Sequence, residues 1–101
     1  MARLLSLIWT DPALDELDEI AAWIALDDAP AARRFVVRAL KSVERVRRFP
    51  QSGRLVPEAP GRMYREVIVG PCRIIYRREG AAVLIVHVSR GERRLRRGDF
   101  R

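Results

Sequence analysis

The spacing of apolar residues changes near the middle of this chain, and this change limits the possible folds more than any other feature. Between residues 12 and 48 apolar residues recur every three or four positions, as they do on one face of a helix. Between residues 63 and 88 they alternate with polar residues or form short runs, as they do in strands. Helices followed by consecutive strands predict an α+β domain.

Two helices are predicted in the first half of the chain. Asp11 and Pro12 supply a helix cap and a first helical residue, and the apolar pattern continues to about residue 27. The sequence Asp27-Asp28-Ala29-Pro30 interrupts that pattern and begins a second helix, which continues to about residue 48. Acidic residues fill the polar face of the first helix and basic residues that of the second. The pair is predicted to form a helical hairpin with arms of opposite charge.

Four strands complete the predicted fold. The first is an apolar run at the start of the chain, and the other three follow a Pro- and Gly-rich loop of about a dozen residues. Tight turns connect the last three strands, which predicts an antiparallel meander. The predicted domain is a small β-α-α-β-β-β unit, in which the hairpin packs on a mainly antiparallel four-stranded sheet and a basic C-terminal tail follows. The predicted strands and tail are residues 3–9, 63–69, 72–78 and 82–88, and the tail 89–101.

The size and composition of the chain exclude several classes of protein. One hundred and one residues predict a single domain, residues 1–101, and no apolar run is long enough to span a membrane. The start does not have the pattern of a secretion signal, so a cytoplasmic protein is expected. Cys72 and His87 are each the only residue of their kind, and neither has a neighbour at ligand spacing. We therefore expect no disulfide, no metal and no cofactor, and Cys72 and His87 are interpreted as structural.

The net charge of +7 lies entirely in the second half of the chain. Residues 1–50 hold 8 basic and 8 acidic side chains, whereas residues 51–101 hold 12 basic and 5 acidic ones. This asymmetry indicates a polyanionic partner, either a nucleic acid or an acidic protein segment. Trp23 lies in the apolar pattern of the first helix and is predicted to be a core or helix–sheet contact.

Two groups of arginines are candidates for contact with that partner. If the strands pair as a meander, Arg65, Arg73, Arg77 and Arg90 could share one surface of the sheet and form an anion site. The alternative is a charged sheet face that only meets solvent. The second group lies in the tail, where the density of charge exceeds what solubility requires, and consists of Arg93, Arg94, Arg96 and Arg97.

Several local motifs occur together in one order along nearly the whole chain. They are the strand ending in Trp9, Ala29-Pro30-Ala31-Ala32-Arg33, Phe49-Pro50-Gln51-Ser52-Gly53-Arg54, Tyr64-Arg65-Glu66-Val67, Cys72-Arg73-Ile74-Ile75-Tyr76-Arg77 and Val86-His87-Val88-Ser89-Arg90. In this combination the chain resembles the ParE/RelE toxin superfamily of bacterial type II toxin–antitoxin modules, and most of all its ParE branch.

The resemblance implies a toxin that an acidic, ParD-like antitoxin keeps inactive in a hetero-oligomer. It also implies one of two activities: RelE-type members cleave mRNA on the ribosome, and ParE-type members poison DNA gyrase without being hydrolases. As a nuclease the chain would use Arg65, Arg73 and Arg90 to stabilise phosphate. As a gyrase inhibitor it would contact its target through Arg90 and the tail arginines 93, 94, 96 and 97. A third alternative is a degenerate member that only binds a partner.

The residue types favour gyrase inhibition over RNA cleavage. Cleavage by 2′-hydroxyl attack needs a proton acceptor and a proton donor, and arginine cannot normally supply either. Glu66, Tyr76 and His87 are the candidates, and strand alternation predicts that the three do not all face the arginines. We further expect acidic residues of the antitoxin to meet Arg38, Arg45, Arg73 or Arg77, while apolar anchors fill the groove between helices and sheet.

Overall fold

The computed structural model describes residues 4–59 and 63–90, and it contains the predicted helical hairpin. Helix α1 comprises Asp11–Ala25 and helix α2 comprises Ala29–Arg48. The cap of α2 is Asp28, whose carboxylate accepts the N–H of Ala31 at 3.0 Å. The cap of α1 is Thr10, and the prediction of Asp11 was therefore wrong by one residue. The Thr10 hydroxyl also donates to the carbonyl of Ile85 at 2.9 Å, which fixes the start of α1 on the sheet.

The sheet has five strands in the order β1-β5-β4-β3-β2, rather than the four that were predicted. Strand β1 pairs with β5 in parallel, and the other neighbours are antiparallel. The strands are β1 Ser6–Trp9, β2 Arg54–Leu55, β3 Tyr64–Val69, β4 Cys72–Glu79 and β5 Ala82–Arg90.

Both differences in strand content have a physical reason. Strand β2 has only two residues, which is too few for an alternating pattern to be visible, and it forms because Arg54 and Leu55 pair with Glu66 and Arg65 of β3. Strand β5 continues two residues past the predicted end, because Ser89 and Arg90 pair with residues of β4. The remainder of the predicted tail, residues 91–101, lies outside the described residues.

The main core lies between the helical hairpin and one face of the sheet. Phe35, Ala39 and Val43 of α2 pack against a sheet surface that includes Ile74 and Val83, and all five are almost fully buried. A smaller cluster covers the opposite face, where the loop that carries β2 lies over the sheet; it consists of Val56, Ala59, Tyr64, Ile75 and Val86. The central strands are therefore buried on both faces, which explains their apolar runs. Neither of the two described helices is long and apolar enough to span a membrane.

Tyr76 of β4 fixes the start of the loop that follows α2. Its buried hydroxyl donates to the carbonyl of Pro50 at 2.8 Å and accepts the N–H of Gly53 at 2.9 Å. Arg65 donates to the carbonyl of Gly53 at 2.7 Å, so both polar backbone groups of this glycine are paired. Burial raises the pKa of Tyr76, which keeps the phenol protonated as a donor.

The close approach at Gly53 predicts a loss of stability on substitution. A Cβ at this position would lie 2.5 Å from the Tyr76 hydroxyl and 2.6 Å from the carbonyl oxygen of Glu66. We expect Gly53→Ala to lower the free energy of unfolding by about 1–3 kcal/mol, because the loop must move away from the sheet. Urea unfolding measures this change. The control is Gly80→Asn, since a Cβ at Gly80 would have no atom within 4 Å beyond its chain neighbours, and Asn tolerates the φ of +59°. Equal losses of stability in the two variants would contradict the prediction.

Candidate functional site

The four sheet arginines do not share one surface, and that prediction was wrong. Arg65 is opposite Tyr76 in the sheet and Arg90 is opposite Cys72, so both lie on the face that the helices cover. Arg73 and Arg77 alternate with those residues along β4 and lie on the other face. Alternation across a strand divides the set into two pairs, because side chains that are opposite each other in a sheet point to the same face.

Arg73 is the centre of a buried arginine–carboxylate cluster, which we define as Arg54, Glu58, Glu66 and Arg73. The Arg73 guanidinium donates to Glu58 through two nitrogens, at 2.7 and 2.8 Å, and to Glu66 through Nε at 2.8 Å and through Nη2. Glu66 also accepts from Nε of Arg54 in β2. Arg73 is only 8% exposed and Glu66 only 1%, so this charge pair is almost completely removed from solvent.

The cluster shifts the protonation equilibria of its members. Hydrogen bonds to Glu58 are the largest cause that raises the pKa of Arg73 above its ordinary value. The same hydrogen bonds lower the pKa of Glu58. Both members therefore remain charged at neutral pH, and their mutual attraction holds the loop that contains Glu58 against the sheet. A phosphate or an antitoxin carboxylate that reached Arg73 would have to displace Glu58.

The three candidate proton-transfer groups are all buried. Glu66, Tyr76 and His87 are each only 1% exposed, and the hydroxyl of Tyr76 and the carboxylate of Glu66 are occupied as described above. His87 Nδ1 lies 2.6 Å from Oε2 of Glu16, without the alignment of a hydrogen bond, and Nε2 has no hydrogen-bond partner among the described residues. Burial of His87 and Cys72 agrees with the interpretation of both as structural residues.

Two arginines of α2, Arg38 and Arg45, differ from Arg73 because no carboxylate among the described residues pairs with them. Arg45 lines a groove of about 320 Å³ between α2 and the outer strands, and the end of Arg38 lies beside Gly70, where a Cβ would be 3.2 Å from its guanidinium nitrogen. Within residues 4–59 and 63–90, neither Arg38 nor Arg45 forms an ion pair. We name the groove that Arg45 lines the α2 groove. Its other lining residues are Ser42, Ser52, Gly53, Arg54, Glu66, Val67 and Ile68.

Arg90 and Trp23 meet at the other side of the molecule. The Arg90 guanidinium lies over the indole ring of Trp23 at 5.0 Å from the ring centre, which is a cation–π contact. Trp23 is 59% exposed and is therefore not a core residue, but its contact with Arg90 of β5 is the helix–sheet contact that was predicted as the alternative. Arg77 is paired with Glu79 at 2.7 Å. The tail arginines 93, 94, 96 and 97 lie outside the described residues.

Sequence reasoning missed Glu58 and the role of Glu66 as a buried counter-ion. Glu58 lies in a Pro-rich loop where no periodic pattern predicts its partner, so only the folded loop brings it to Arg73. Glu66 could have been found, because an acid in an apolar strand signals a buried charge that requires a cation. In the part of the chain that the structure describes, no group of three or more His, Cys, Asp or Glu residues could hold a metal ion.

Comparisons with known proteins agree with this architecture. A structure of the chromosomal ParDE toxin–antitoxin system of P. aeruginosa superimposes with a TM-score of 0.72 and 26% sequence identity, and it covers 88% of this chain and 98% of that one. A Sinorhizobium fredii protein, Y4kP, whose name marks it as a candidate toxin, is 46% identical over 55 residues. That segment is 54% of this chain and about half, 52%, of the curated relative.

The α+β fold with its helical hairpin and basic sheet is thus the fold of a known class of toxin. Residues 7–100 match the family described as the ParE toxin of the type II toxin–antitoxin system parDE. The chain belongs to this ParE toxin family.

The pKa shift in the cluster predicts how stability depends on pH. The pKa of Glu58 is lowered from its usual value of about 4.5, so the unfolded chain binds this proton more tightly than the folded protein does. The resulting stability is present above pH 4.5 and is lost as the pH falls through the folded-state value. We expect Glu58→Gln to lower the free energy of unfolding by about 1–2 kcal/mol at pH 7, because it removes charged hydrogen bonds.

The same substitution should also reduce the loss of stability that the protein shows between pH 7 and pH 3. Chemical unfolding at several pH values measures both effects. Glu79→Gln is the matched control, since it removes the same charge from the end of β4. The prediction fails if the pH dependence of the Glu58 variant equals that of the unsubstituted protein.

Proposed function

We propose that this chain is a cytoplasmic toxin, with a single toxin domain over residues 1–101, that inhibits DNA gyrase and is neutralised by an acidic, ParD-like antitoxin. Membership of the ParE toxin family carries the proposal. The resemblance of the sequence to the ParE branch supports gyrase as the target, and the positive charge supports an acidic antitoxin.

The burial of the proton-transfer groups supports gyrase inhibition over RNA cleavage. A nuclease needs a donor and an acceptor in contact with the substrate, whereas Glu66, Tyr76 and His87 are each 1% exposed. The three arginines of the nuclease alternative are also divided, because Arg65 and Arg90 lie on one face of the sheet and Arg73 on the other. Blocking a protein target needs a complementary surface only, which a basic chain can provide even though Glu66, Tyr76 and His87 are buried.

The proposed target surface consists of Arg90 and the tail arginines 93, 94, 96 and 97. Arg90 is the last residue of β5, so the sheet fixes the point from which the tail begins. Its contact with Trp23 holds its guanidinium at the edge of the molecule. Gyrase holds DNA, and a row of arginines suits either an acidic protein surface or phosphate at such a target.

The proposed antitoxin surface consists of Arg38, Arg45, Arg73 and Arg77. These residues differ in how far their charge is already neutralised within the toxin. Arg38 and Arg45 have no ion-pair partner among the described residues, so an antitoxin carboxylate gains a full charge contact there. Arg77 would have to share its charge with Glu79. At Arg73 the antitoxin competes with Glu58, so this residue contributes less binding energy than its position suggests.

Purified toxin added to gyrase supercoiling reactions and to translating ribosomes distinguishes the two activities. We expect supercoiling to stop at toxin concentrations that leave ribosome-bound mRNA intact, and equimolar antitoxin to restore supercoiling. The antitoxin for this test is the product of a reading frame beside this gene, which the proposal expects to encode an acidic protein. Intact supercoiling together with mRNA cleavage in the ribosomal A site would replace the proposal with the nuclease alternative.

The tail is expected to contribute to inhibition through its charge. Replacement of Arg93, Arg94, Arg96 and Arg97 by Gln removes four charges and should raise the toxin concentration for half-inhibition of supercoiling at least about 10-fold, since each lost ionic contact weakens binding. The matched control replaces Arg33, Arg34, Lys41 and Arg48 of α2 by Gln, which gives the same net charge. If both variants lose equal potency, total charge rather than the tail accounts for inhibition.

A further inference from the structure

The end of β5 has a strand neighbour on one side only. Strand β1 pairs with Ala82–Ile85, and the N–H of Thr10 then donates to the carbonyl of Ile85 at 3.1 Å. Thr10 is the cap of α1, so the chain leaves the sheet at this point. Among the described residues, positions 87–90 therefore pair with β4 alone. Backbone groups that are buried on the other side of this segment need a different partner.

Glu16 of α1 is the partner that replaces the missing strand. Its Oε1 accepts the N–H of Val88 at 3.0 Å, and its Oε2 lies 2.6 Å from Nδ1 of His87. Val88 and His87 are 2% and 1% exposed, and the Glu16 side chain is 22% exposed, so these contacts are largely shielded from solvent. A bond between a backbone N–H and an ionised carboxylate is stronger than one between neutral groups. One side chain thus attaches α1 to the part of β5 that β1 does not reach.

A second contact joins the same helix to the same strand. Trp23 lies seven residues after Glu16 on α1, which is two helical turns, and Arg90 lies two residues after Val88 on β5. The Arg90 guanidinium is 5.0 Å from the centre of the Trp23 ring. All four residues line one pocket of about 300 Å³ between helix and strand. Because an arginine side chain has many rotamers, its place over the indole requires that the strand backbone be held at a fixed distance from α1.

From these contacts we propose that Glu16 is a positioning residue for the target surface. By holding Val88 beside α1, it places Arg90 over Trp23, in the orientation in which the guanidinium meets gyrase. Glu16 acts through Arg90 and does not itself contact the target, because both of its oxygens face β5. The inference rests on the proposed function, since it assigns a role toward the proposed contact of Arg90 with gyrase.

Three substitutions on α1 separate the bond to β5 from the charge of the pocket. Glu16→Ala removes both contacts and should raise the toxin concentration for half-inhibition of supercoiling about 5- to 10-fold. Glu16→Gln keeps an oxygen that accepts from Val88, so it should stay within about 2-fold of the unsubstituted toxin. Glu19→Ala is the matched control, because Glu19 lines the same pocket and its carboxylate forms no hydrogen bond or ion pair within the described part of the chain. It should also change potency less than about 2-fold.

A double-mutant cycle tests whether Glu16 acts through Arg90. In a toxin that already carries Arg90→Gln, we expect Glu16→Ala to change half-inhibition by less than about 2-fold, since the contact that it positions is absent. The Kd for the antitoxin should also stay within about 2-fold, because the proposed antitoxin arginines lie outside this pocket. If Glu16→Ala does not fold, Glu16→Asp makes the same test: it keeps the charge, shortens the reach by one methylene group and should reduce potency at least about 3-fold.

NMR spectra of the full chain measure the geometry without the target. The indole N–H signal that Arg90→Gln shifts identifies Trp23, and Glu16→Ala should shift the same signal in the same direction. Exchange of the Val88 amide with solvent should quicken at least about 10-fold in Glu16→Ala, because its acceptor is lost. An unchanged indole signal in the folded variant would show that Arg90 keeps its place without Glu16 and would overturn the inference.

The functional outcomes distinguish this inference from the proposed function. Full potency of the folded Glu16→Ala toxin, or of the Asp variant in its place, overturns the positioning role and leaves gyrase inhibition intact. Equal losses in the Glu16 and Glu19 variants, additive losses with Arg90→Gln, or an equal loss of antitoxin affinity also overturn it, because pocket charge or general stability then accounts for the effect. Failure of the unsubstituted toxin to inhibit gyrase overturns the proposed target and the inference with it.

Discussion

The buried contact between Arg73 and Glu66 is the interaction on which the outer half of this structure depends. Each side chain alone would be a charge removed from water, which costs several kcal/mol. Together with Glu58 and Arg54 they satisfy one another, and because Glu58 and Arg54 belong to the loop after α2, the same contacts hold that loop on the sheet. The loop in turn covers the second apolar cluster, so the burial of Ile75 and Val86 follows from the pairing of these charges.

Most of the architecture could be predicted from sequence, because helix and strand periods are local properties. The hairpin follows from the spacing of residues such as Phe35, Ala39 and Val43, and the three later strands follow from the alternation between residues 63 and 88. Strand β2 could not be predicted, since it exists only through its pairing with Arg65 and Glu66. The cap of α1 lies one residue before the predicted position, because Thr10 is favoured by a hydrogen bond to Ile85, which is 75 positions away in the chain.

The arginines show why function was harder to predict than fold. Sequence identifies charge and alternation, and the basic second half of the chain was therefore evident. It does not show which charges are neutralised in the folded protein. Arg73 is held by Glu58 and Glu66, whereas Arg38 and Arg45 are exposed and have no such partner among the described residues, although all three are the same residue type. The difference depends on a loop whose conformation no local pattern specifies, so the same residue type supports the fold at one position and is accessible to a partner at another.

The parallel pairing of β1 with β5 has a consequence for the synthesis of the protein. Ser6 pairs with Ala82 and Trp9 with Ile85, so the first and last described strands are neighbours although some 76 residues separate them in the chain. A nascent chain on the ribosome can form the helical hairpin early, but it cannot close the sheet until β5 has emerged. Arg90 reaches Trp23 only at that stage. A translation product that stops before β5 therefore lacks both the closed sheet and the contact between Arg90 and Trp23.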